Sequence, residues 1–420
     1  MTHVQLESAI KEYIQAGVDD YDDALFNRLA LETFRFQWEN NPVYRQYCAE
    51  QGLVSPETIA RWDEIPPLPS AQFKQEAVTS FPKEQAQHFI KTGGTTDPAR
   101  RGMIYRNEQA FELVLAANRM MTKSFLFPDV ERMKILLLVP SPEIAPAMGM
   151  AVGLAEVRKH FGTPASRFLI SEKGLDIAGF YADLRQAEET GEPVAIIGAT
   201  AGFIFFFKYC QRRRWRFNLP PGSRVCDGGG YMGLFGHCTR DEYYQLVQKY
   251  FNVPPEYCVN TYGMGESNTN YFDNVLRDKL VKKSSAERSK ISPPWARTVV
   301  IDQETGRRLP AGQTGVICHY DLANFWHAFA VRTEDLGYQI DPLKFEIVGR
   351  VSGRRERPPG HPAWVPLGTE GFGRMKEMVL NLFVKGLGEA GGTGRFANDG
   401  DSCAVVAEEF LLGQARHDEK

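Results

Sequence analysis

Apolar residues recur at helical spacing between residues 5 and 50: Leu6, Ile10 and Ile14, then Phe26, Leu29, Ala30, Phe34 and Trp38. That period predicts helices with one face in a core. Asn41-Pro42 breaks them, because proline lacks the N–H that continues a helix. A proline-stiffened connector follows at residues 62–70, and His88–Lys91 predicts a short strand. The spacing of Phe111, Val114, Leu115, Asn118 and Met121 predicts an amphipathic helix over Asn107–Thr122.

The pattern then alternates. Strands are predicted at Lys134–Val139, Phe168–Ile170, Val194–Gly198, Arg224–Asp227 and Cys258–Tyr262. Helices are predicted at Ala147–His160, Leu175–Glu189, 200–213 and Asp241–Phe251. Strands separated by helices of this length imply an α/β fold with a largely parallel sheet. From about residue 295 the texture changes to short strands, Arg297–Ile301, Thr314–Tyr320 and Phe345–Val348, between turns such as Asp302-Gln303-Glu304-Thr305-Gly306. The expected organisation is a large domain over 1–350, with a small β-rich subdomain at about 295–350. A short C-terminal region follows over 351–420, rich in Gly, Pro and Arg, with helices expected at 374–385 and 404–414.

Composition narrows the classes. The 420 residues carry a net charge of −3, which gives no broadly basic surface for nucleic acid. The polar N-terminus has no apolar signal core, and no apolar run reaches the about 18 residues of a membrane span. Seven cysteines at wide spacings, with no Cys-x-x-Cys, argue against a disulfide framework or a zinc ribbon. Cys226, His237 and Cys238 read as ordinary positions rather than metal ligands. A cytoplasmic chain with free thiols is expected.

Candidate chemistry gathers at a few stretches. Lys91-Thr92-Gly93-Gly94-Thr95-Thr96 joins a predicted strand to a loop in which glycine backbone and threonine hydroxyls offer donors to phosphate oxygens. Lys91, Arg100 and Arg101 can add positive charge. No Gly-x-x-x-x-Gly-Lys-Ser/Thr is present there, which excludes a P-loop NTPase. Asp227-Gly228-Gly229-Gly230-Tyr231-Met232-Gly233 follows a strand, at the sheet edge where α/β folds bind ligands. Thr261-Tyr262-Gly263-Met264-Gly265-Glu266 offers a ring to stack on a base and a hard carboxylate oxygen for Mg²⁺. Asp335 can accept both ribose hydroxyls, and Arg350 can reach ribose or phosphate; the two could equally form a surface ion pair.

In their order and spacing, these stretches resemble the adenylate-forming (ANL) superfamily of acyl-CoA synthetases, adenylation domains and luciferases. Within it the likeness is closest to the LuxE-type acyl-protein synthetases and the phenylacetate–CoA ligases, over about residues 20–350. The resemblance implies that a carboxylic acid attacks the α-phosphorus of ATP, giving an acyl-adenylate and pyrophosphate, and that a second nucleophile takes the acyl group. By the same resemblance, Thr92, Gly93, Gly94, Thr95 and Thr96 hold the ATP phosphates, with Lys91 leading into the loop. Gly228, Gly229, Gly230, Tyr231, Tyr262, Gly263 and Met264 border the adenine, Glu266 ligates Mg²⁺, Asp335 binds the ribose, and Arg350 ends the large domain.

Two departures stand out. Asp97 occupies a position where many relatives carry glycine, and only 70 residues follow Arg350. Lys376 and Lys385 are the candidates for the lysine that assists adenylation in the superfamily, and Cys403 resembles the cysteine that receives the acyl group in LuxE-type proteins. Thiolate is a good acyl acceptor, but an amine, hydroxyl or free thiol could also capture the adenylate. The alternatives are an acyl-CoA ligase and a non-catalytic nucleotide- or acyl-binding scaffold. Phe203, Phe205, Phe206 and Phe207 read first as core and second as an acyl pocket for aromatic or medium-chain acids.

Overall fold

The computed structural model describes residues 1–91, 102–171, 174–229, 232–233, 236–237, 239–284 and 287–351. The expected C-terminal helices therefore lie outside the described residues, as do Lys376 and Lys385. The described chain divides into two compact units. One holds Met1–Arg132, Lys159–Phe161 and the chain from Glu256 onward; the other holds Met133–Arg158 and Gly162–Pro255.

The first unit begins with α1 (His3–Gln15), α2 (Asp23–Asn40) and α3 (Pro42–Glu50). The Asn41 side chain caps α3 by accepting from Tyr44 N–H, and Pro42 takes the first turn, where a missing N–H costs nothing. Strand β1 is Leu68–Pro69. Strands β2 (His88–Lys91) and β3 (Met103–Arg106) pair antiparallel, with Lys91 opposite Met103. Helix α4 (Glu108–Phe125) starts at Asn107, whose side chain accepts from Ala110 N–H. Its buried stripe is Ala110, Leu113, Ala117 and Met121, so the helix is rotated from the face that Phe111, Val114 and Leu115 predict. The alanines let α4 approach its neighbours closely, while Phe111 stacks on the His88 ring at a centroid distance of 4.0 Å.

The second unit is the parallel α/β layer. In chain order it contains β4 (Lys134–Pro140), α5 (Gly149–Phe161, whose last turn belongs to the first unit), β5 (Arg167–Ser171), β6 (Gly174–Leu175) and α6 (Ile177–Thr190). It continues with β7 (Val194–Ala199), α7 (Thr200–Arg213), β8 (Arg224–Gly228), β9 (Met232–Gly233), β10 (Gly236–His237) and α8 (Arg240–Phe251). β8, β7, β4 and β5 run parallel in that order, with β6 antiparallel at the edge. β4 and β7 are buried almost throughout, the pattern of strands covered on both faces. Helix α8 starts at Arg240, one residue before the predicted Asp241, and its N-cap is Thr239, which forms a capping box with Glu242.

Phe203, Phe206 and Phe207 on α7 are fully buried. They pack against Phe180, Phe217, Tyr243 and Phe251, with Phe180 and Phe206 centroids 4.3 Å apart. They are core of this unit, and Phe205 is half-buried beside Tyr209.

The chain returns to the first unit with β11 (Cys258–Met264) and β12 (Ser267–Phe272), a hairpin joined by Gly265 and Glu266. After α9 (Val275–Leu280) come β13 (Lys290–Ile291), β14 (Ala296–Ile301), β15 (Gly315–Asp321), β16 (Ala330–Asp341) and β17 (Lys344–Arg350). The last five form an antiparallel sheet in the order β13-β17-β16-β15-β14, and β1 adds parallel to β16. The sequence pattern anticipates this β-rich segment but omits β16, its longest strand at 12 residues. Charged residues at alternate positions of Arg332-Thr333-Glu334-Asp335 mask its period.

Candidate active site

The site in the first unit is assembled from the β11–β12 hairpin and the β16–β17 pair. Asp335 lies opposite Arg350 in the β16–β17 register. Side chains of directly opposed residues sit close enough to interact, and Arg350 Nε donates to Asp335 Oδ1 at 2.9 Å. Tyr262 O–H donates to Asp335 Oδ2 at 2.7 Å. The Asp335 backbone N–H donates to Thr333 Oγ1 at 3.0 Å, and that hydroxyl in turn donates to Ile317 O at 2.9 Å. Asp335 is thus buried with each carboxylate oxygen carrying one donor. Burial, then the Asp335 charge, pushes the Tyr262 phenol well above its ordinary value, so it stays a donor.

Tyr262 belongs to an aromatic cluster with Tyr271, His319 and Phe345; Tyr271 and His319 stack at 4.5 Å. Burial pushes His319 down to about 3, so it is neutral. A Cβ at Gly263 would lie 1.9 Å from Asn270 Oδ1, so a side chain there would force the Asn270 amide to move. Met264 lies within sulfur hydrogen-bond reach of the Tyr262 hydroxyl, at 3.9 Å.

Glu266 occupies the two-residue turn and is buried. Burial raises its carboxyl to about 7, partly offset by its own backbone N–H, Lys74 and Arg350 and reinforced by Glu334. Lys74 is itself paired with Glu334 at 3.4 Å. The hairpin carrying Glu266 is held on several sides. Asn118 of α4 donates to Asn268 O and accepts from Asn270 N–H, both at 2.9 Å, which imitates a neighbouring strand. Asn324 accepts from Asn268 N–H at 2.9 Å and donates to Glu266 O at 3.3 Å. Asp321 accepts from Ser267, from Ala323 N–H, and from both the N–H and hydroxyl of Thr269. Arg106, at the end of β3, donates from Nη2 to Gly265 O at 3.2 Å and to Asn268 Oδ1 at 2.9 Å.

Tyr262, Gly263, Met264, Glu266, Asp335 and Arg350 therefore fall in one region. Lys91 ends β2, half-buried and opposite Met103. In the second unit, Gly228 ends β8, where its carbonyl accepts from the Thr200 hydroxyl at 3.1 Å, and Gly229 turns with φ +93°. Thr92, Gly93, Gly94, Thr95, Thr96, Gly230, Tyr231 and Cys403 lie outside the described residues. Sequence reasoning missed Arg106, Asn118, Asn268, Asp321 and Asn324. A polar residue amid an apolar stretch (Asn118 in α4, Asp321 at the end of β15) is the signal that could have found two of them.

Among the described residues no cluster of three or more His, Cys, Asp or Glu side chains could hold a metal. No helix there is long and apolar enough to cross a membrane. The five described cysteines, Cys48, Cys210, Cys226, Cys258 and Cys318, are buried free thiols. Burial pushes Cys48, Cys210 and Cys318 up to about 12.

Comparison with known proteins matches the family "Acyl-protein synthetase, LuxE" over residues 15–360. The long-chain-fatty-acid–luciferin-component ligase of Vibrio harveyi is 22% identical over 83% of this chain and 93% of its own length. Its counterpart from Aliivibrio fischeri is 20% identical over 79% and 85%. Among solved structures, an open form of 2-hydroxyisobutyryl-CoA ligase with 2-HIB-AMP and CoA aligns with a TM-score of 0.57 at 12% identity, covering 79% of this chain and 71% of the ligase. The same ligase in its thioesterification state aligns at 0.56 with 14% identity, covering 79% and 69%. At these identities the likeness is one of fold.

Proposed function

The chain belongs to the LuxE acyl-protein synthetase family, and from that premise we propose that it activates a long-chain fatty acid at the Tyr262–Glu266–Asp335–Arg350 cluster and passes the acyl group to Cys403. The reaction class is that of an ATP-dependent ligase. A carboxylate oxygen attacks the α-phosphorus of ATP, the bond to the bridging oxygen breaks, and pyrophosphate leaves. A nucleophile then attacks the acyl carbonyl and AMP leaves. Both reactants of the first step are anionic, so positioning and charge neutralisation carry most of the catalysis.

The observation that supports these residue roles is the geometry around Asp335. A carboxylate offers about four lone-pair sites. Tyr262 and Arg350 use one on each oxygen, which orients the group and leaves a site on each for two vicinal hydroxyls. Tyr262 then sits beside the ribose, where its ring can face the base, and the Arg350 charge stands over the same carboxylate. In the second unit the parallel strand β8 ends at Gly228, and sheets of this kind bind ligands beyond the C-terminal ends of their strands.

Glu266 fits a divalent cation. It is a hard oxygen donor, and no side-chain donor among the described residues hydrogen-bonds its carboxylate. Mg²⁺ is usually held by one or two carboxylates together with substrate phosphates, so a single buried carboxylate suffices. When bound, Mg²⁺ supplies positive charge to the phosphate chain. Glu266 would hold it, and the bonds of Asn118, Asn324 and Arg106 keep the turn in place.

The acid is proposed from the names of the two bacterial relatives. The buried α7 phenylalanines supply no pocket that would favour aromatic or medium-chain acids instead. For the acceptor, the described cysteines are buried, and those with displaced thiols are poor nucleophiles. That leaves Cys238 and Cys403, both outside the described residues, and of these Cys403 is the one that resembles the acyl-accepting cysteine of the family. Incubation with ATP, Mg²⁺ and tetradecanoic acid, followed by intact-mass and peptide analysis, should give a hydroxylamine-labile acyl adduct on Cys403. Formation of acyl-CoA with added CoA by a fully active Cys403→Ala variant would replace this acceptor with CoA.

A further inference from the structure

We infer that Arg106 is a positioning residue for the metal-facing end of the site: its guanidinium grips the hairpin turn on both sides of Glu266 and ties that turn to the end of β3. The inference rests on the reading of Glu266 as the Mg²⁺-facing carboxylate. Arg106 is the last residue of β3, which begins at Met103. Its Nη2 reaches Gly265 O at 3.2 Å and Asn268 Oδ1 at 2.9 Å. One planar group therefore holds the residue before Glu266 and the residue two beyond it. Asn268 is fixed in turn by Ala323 O and Asn324, at 2.8 and 2.9 Å.

The choice of arginine is informative. Arg106 is buried, both acceptors are neutral, and its Nε and Nη1 have no hydrogen-bond partner. A buried cation without a hydrogen-bonded carboxylate is costly. A neutral side chain or a backbone bond could hold a turn at lower cost. The neighbouring His327 imidazole is pushed down to about 3 by burial and then by the Arg106 charge, and stays neutral. The carboxylate that acts on Arg106 is Glu266. The cations that act on Glu266, Lys74 and Arg350, are engaged elsewhere, Lys74 with Glu334 and Arg350 with Asp335. Arg106 therefore fixes the Glu266 turn from both flanking residues, through bonds to Gly265 O and Asn268 Oδ1.

The test uses the full chain and two readouts: ATP binding by calorimetry with and without Mg²⁺, and the Mg²⁺ concentration for half-maximal pyrophosphate exchange. Arg106→Lys keeps the charge and loses the planar grip. Asn268→Ser removes one acceptor with no change of charge, and it carries the test if the Arg106 variant does not fold. Each should raise the Mg²⁺ half-saturation by about threefold to tenfold, the loss of one or two hydrogen bonds, while ATP binding without metal changes by less than about twofold. In a Glu266→Gln background neither substitution should move it further. Wild-type Mg²⁺ dependence in both single variants, or equal weakening of ATP with and without metal, overturns the inference while leaving Glu266 in place. If Glu266→Gln itself leaves the Mg²⁺ dependence unmoved, the reading of Glu266 falls, and this inference with it.

Discussion

Replacing Asp335 with alanine should abolish the enzyme's ability to tell ATP from 2′,3′-dideoxy-ATP. Asp335 is 5% exposed and already accepts from Tyr262 at 2.7 Å and Arg350 at 2.9 Å. If its two remaining lone-pair sites receive the ribose hydroxyls, each bond to the charged group contributes ~1.5–3 kcal/mol. Taking the lower figure for both gives about 3 kcal/mol, or a preference for ATP of roughly 150-fold in kcat/KM. In Asp335→Ala that preference should shrink to less than about threefold, through loss of activity with ATP rather than gain with the analogue. Tyr262→Phe is the control: it removes the 2.7 Å bond but leaves the carboxylate, so most of the preference should remain. The assay is pyrophosphate exchange with each nucleotide, with thermal melting to confirm that the variants are folded. An Asp335→Ala enzyme that keeps the wild-type preference would refute the assignment of the ribose to this carboxylate.

Three further outcomes follow from the same geometry. Burial raises the Glu266 carboxyl from 4.5 to about 7, so the folded state holds a proton that the unfolded state has released. Its contribution is full below pH 4.5 and is lost as pH rises through about 7, a change of about 3 kcal/mol. In metal-free buffer Glu266→Gln should therefore flatten the fall of Tm over that window, and an unchanged slope would contradict it. Lys290 is buried and donates to Asn260 O, Asn260 Oδ1 and Asp273 Oδ1. Lys290→Met should lower the free energy of urea unfolding by about 3 kcal/mol, because Asp273 keeps only part of its compensation from Arg288 at 2.6 Å. Cys403→Ser should leave pyrophosphate exchange within about twofold of wild type while abolishing the hydroxylamine-labile adduct; loss of both would place Cys403 in adenylation itself.

The fold was legible where its signals are local. The helical stripe of the first fifty residues, the break at Pro42 and the buried runs of β4 and β7 all depend on neighbours along the chain. Of the candidate site, Tyr262, Glu266, Asp335 and Arg350 were singled out through their residue types and order, and the structure brings them into one region. What supports them was not legible. Arg106 bonds residues about 160 positions away, 159 to Gly265 and 162 to Asn268. Asn118 reads as a member of an apolar helix face, yet it pairs like a strand edge with β12. The rotation of α4 was also hidden. Alanine is a weak hydrophobic signal, so the face with Phe111 and Val114 outweighs the face with Ala110 and Ala117 that is actually buried. β16 escaped for the opposite reason, because its charged residues are functional candidates as well as strand positions.

The central claim is that this chain makes an acyl-adenylate from ATP and a carboxylic acid. Exchange of labelled pyrophosphate into ATP measures that step alone, whatever the acceptor. With Mg²⁺, ATP and a panel of saturated fatty acids and aromatic acids, exchange should depend on the acid, be strongest with a long-chain fatty acid, and fall at least about tenfold in Asp335→Ala. No acid-dependent exchange across the panel by a folded protein that binds ATP would contradict the account, and would make the chain a nucleotide-binding scaffold.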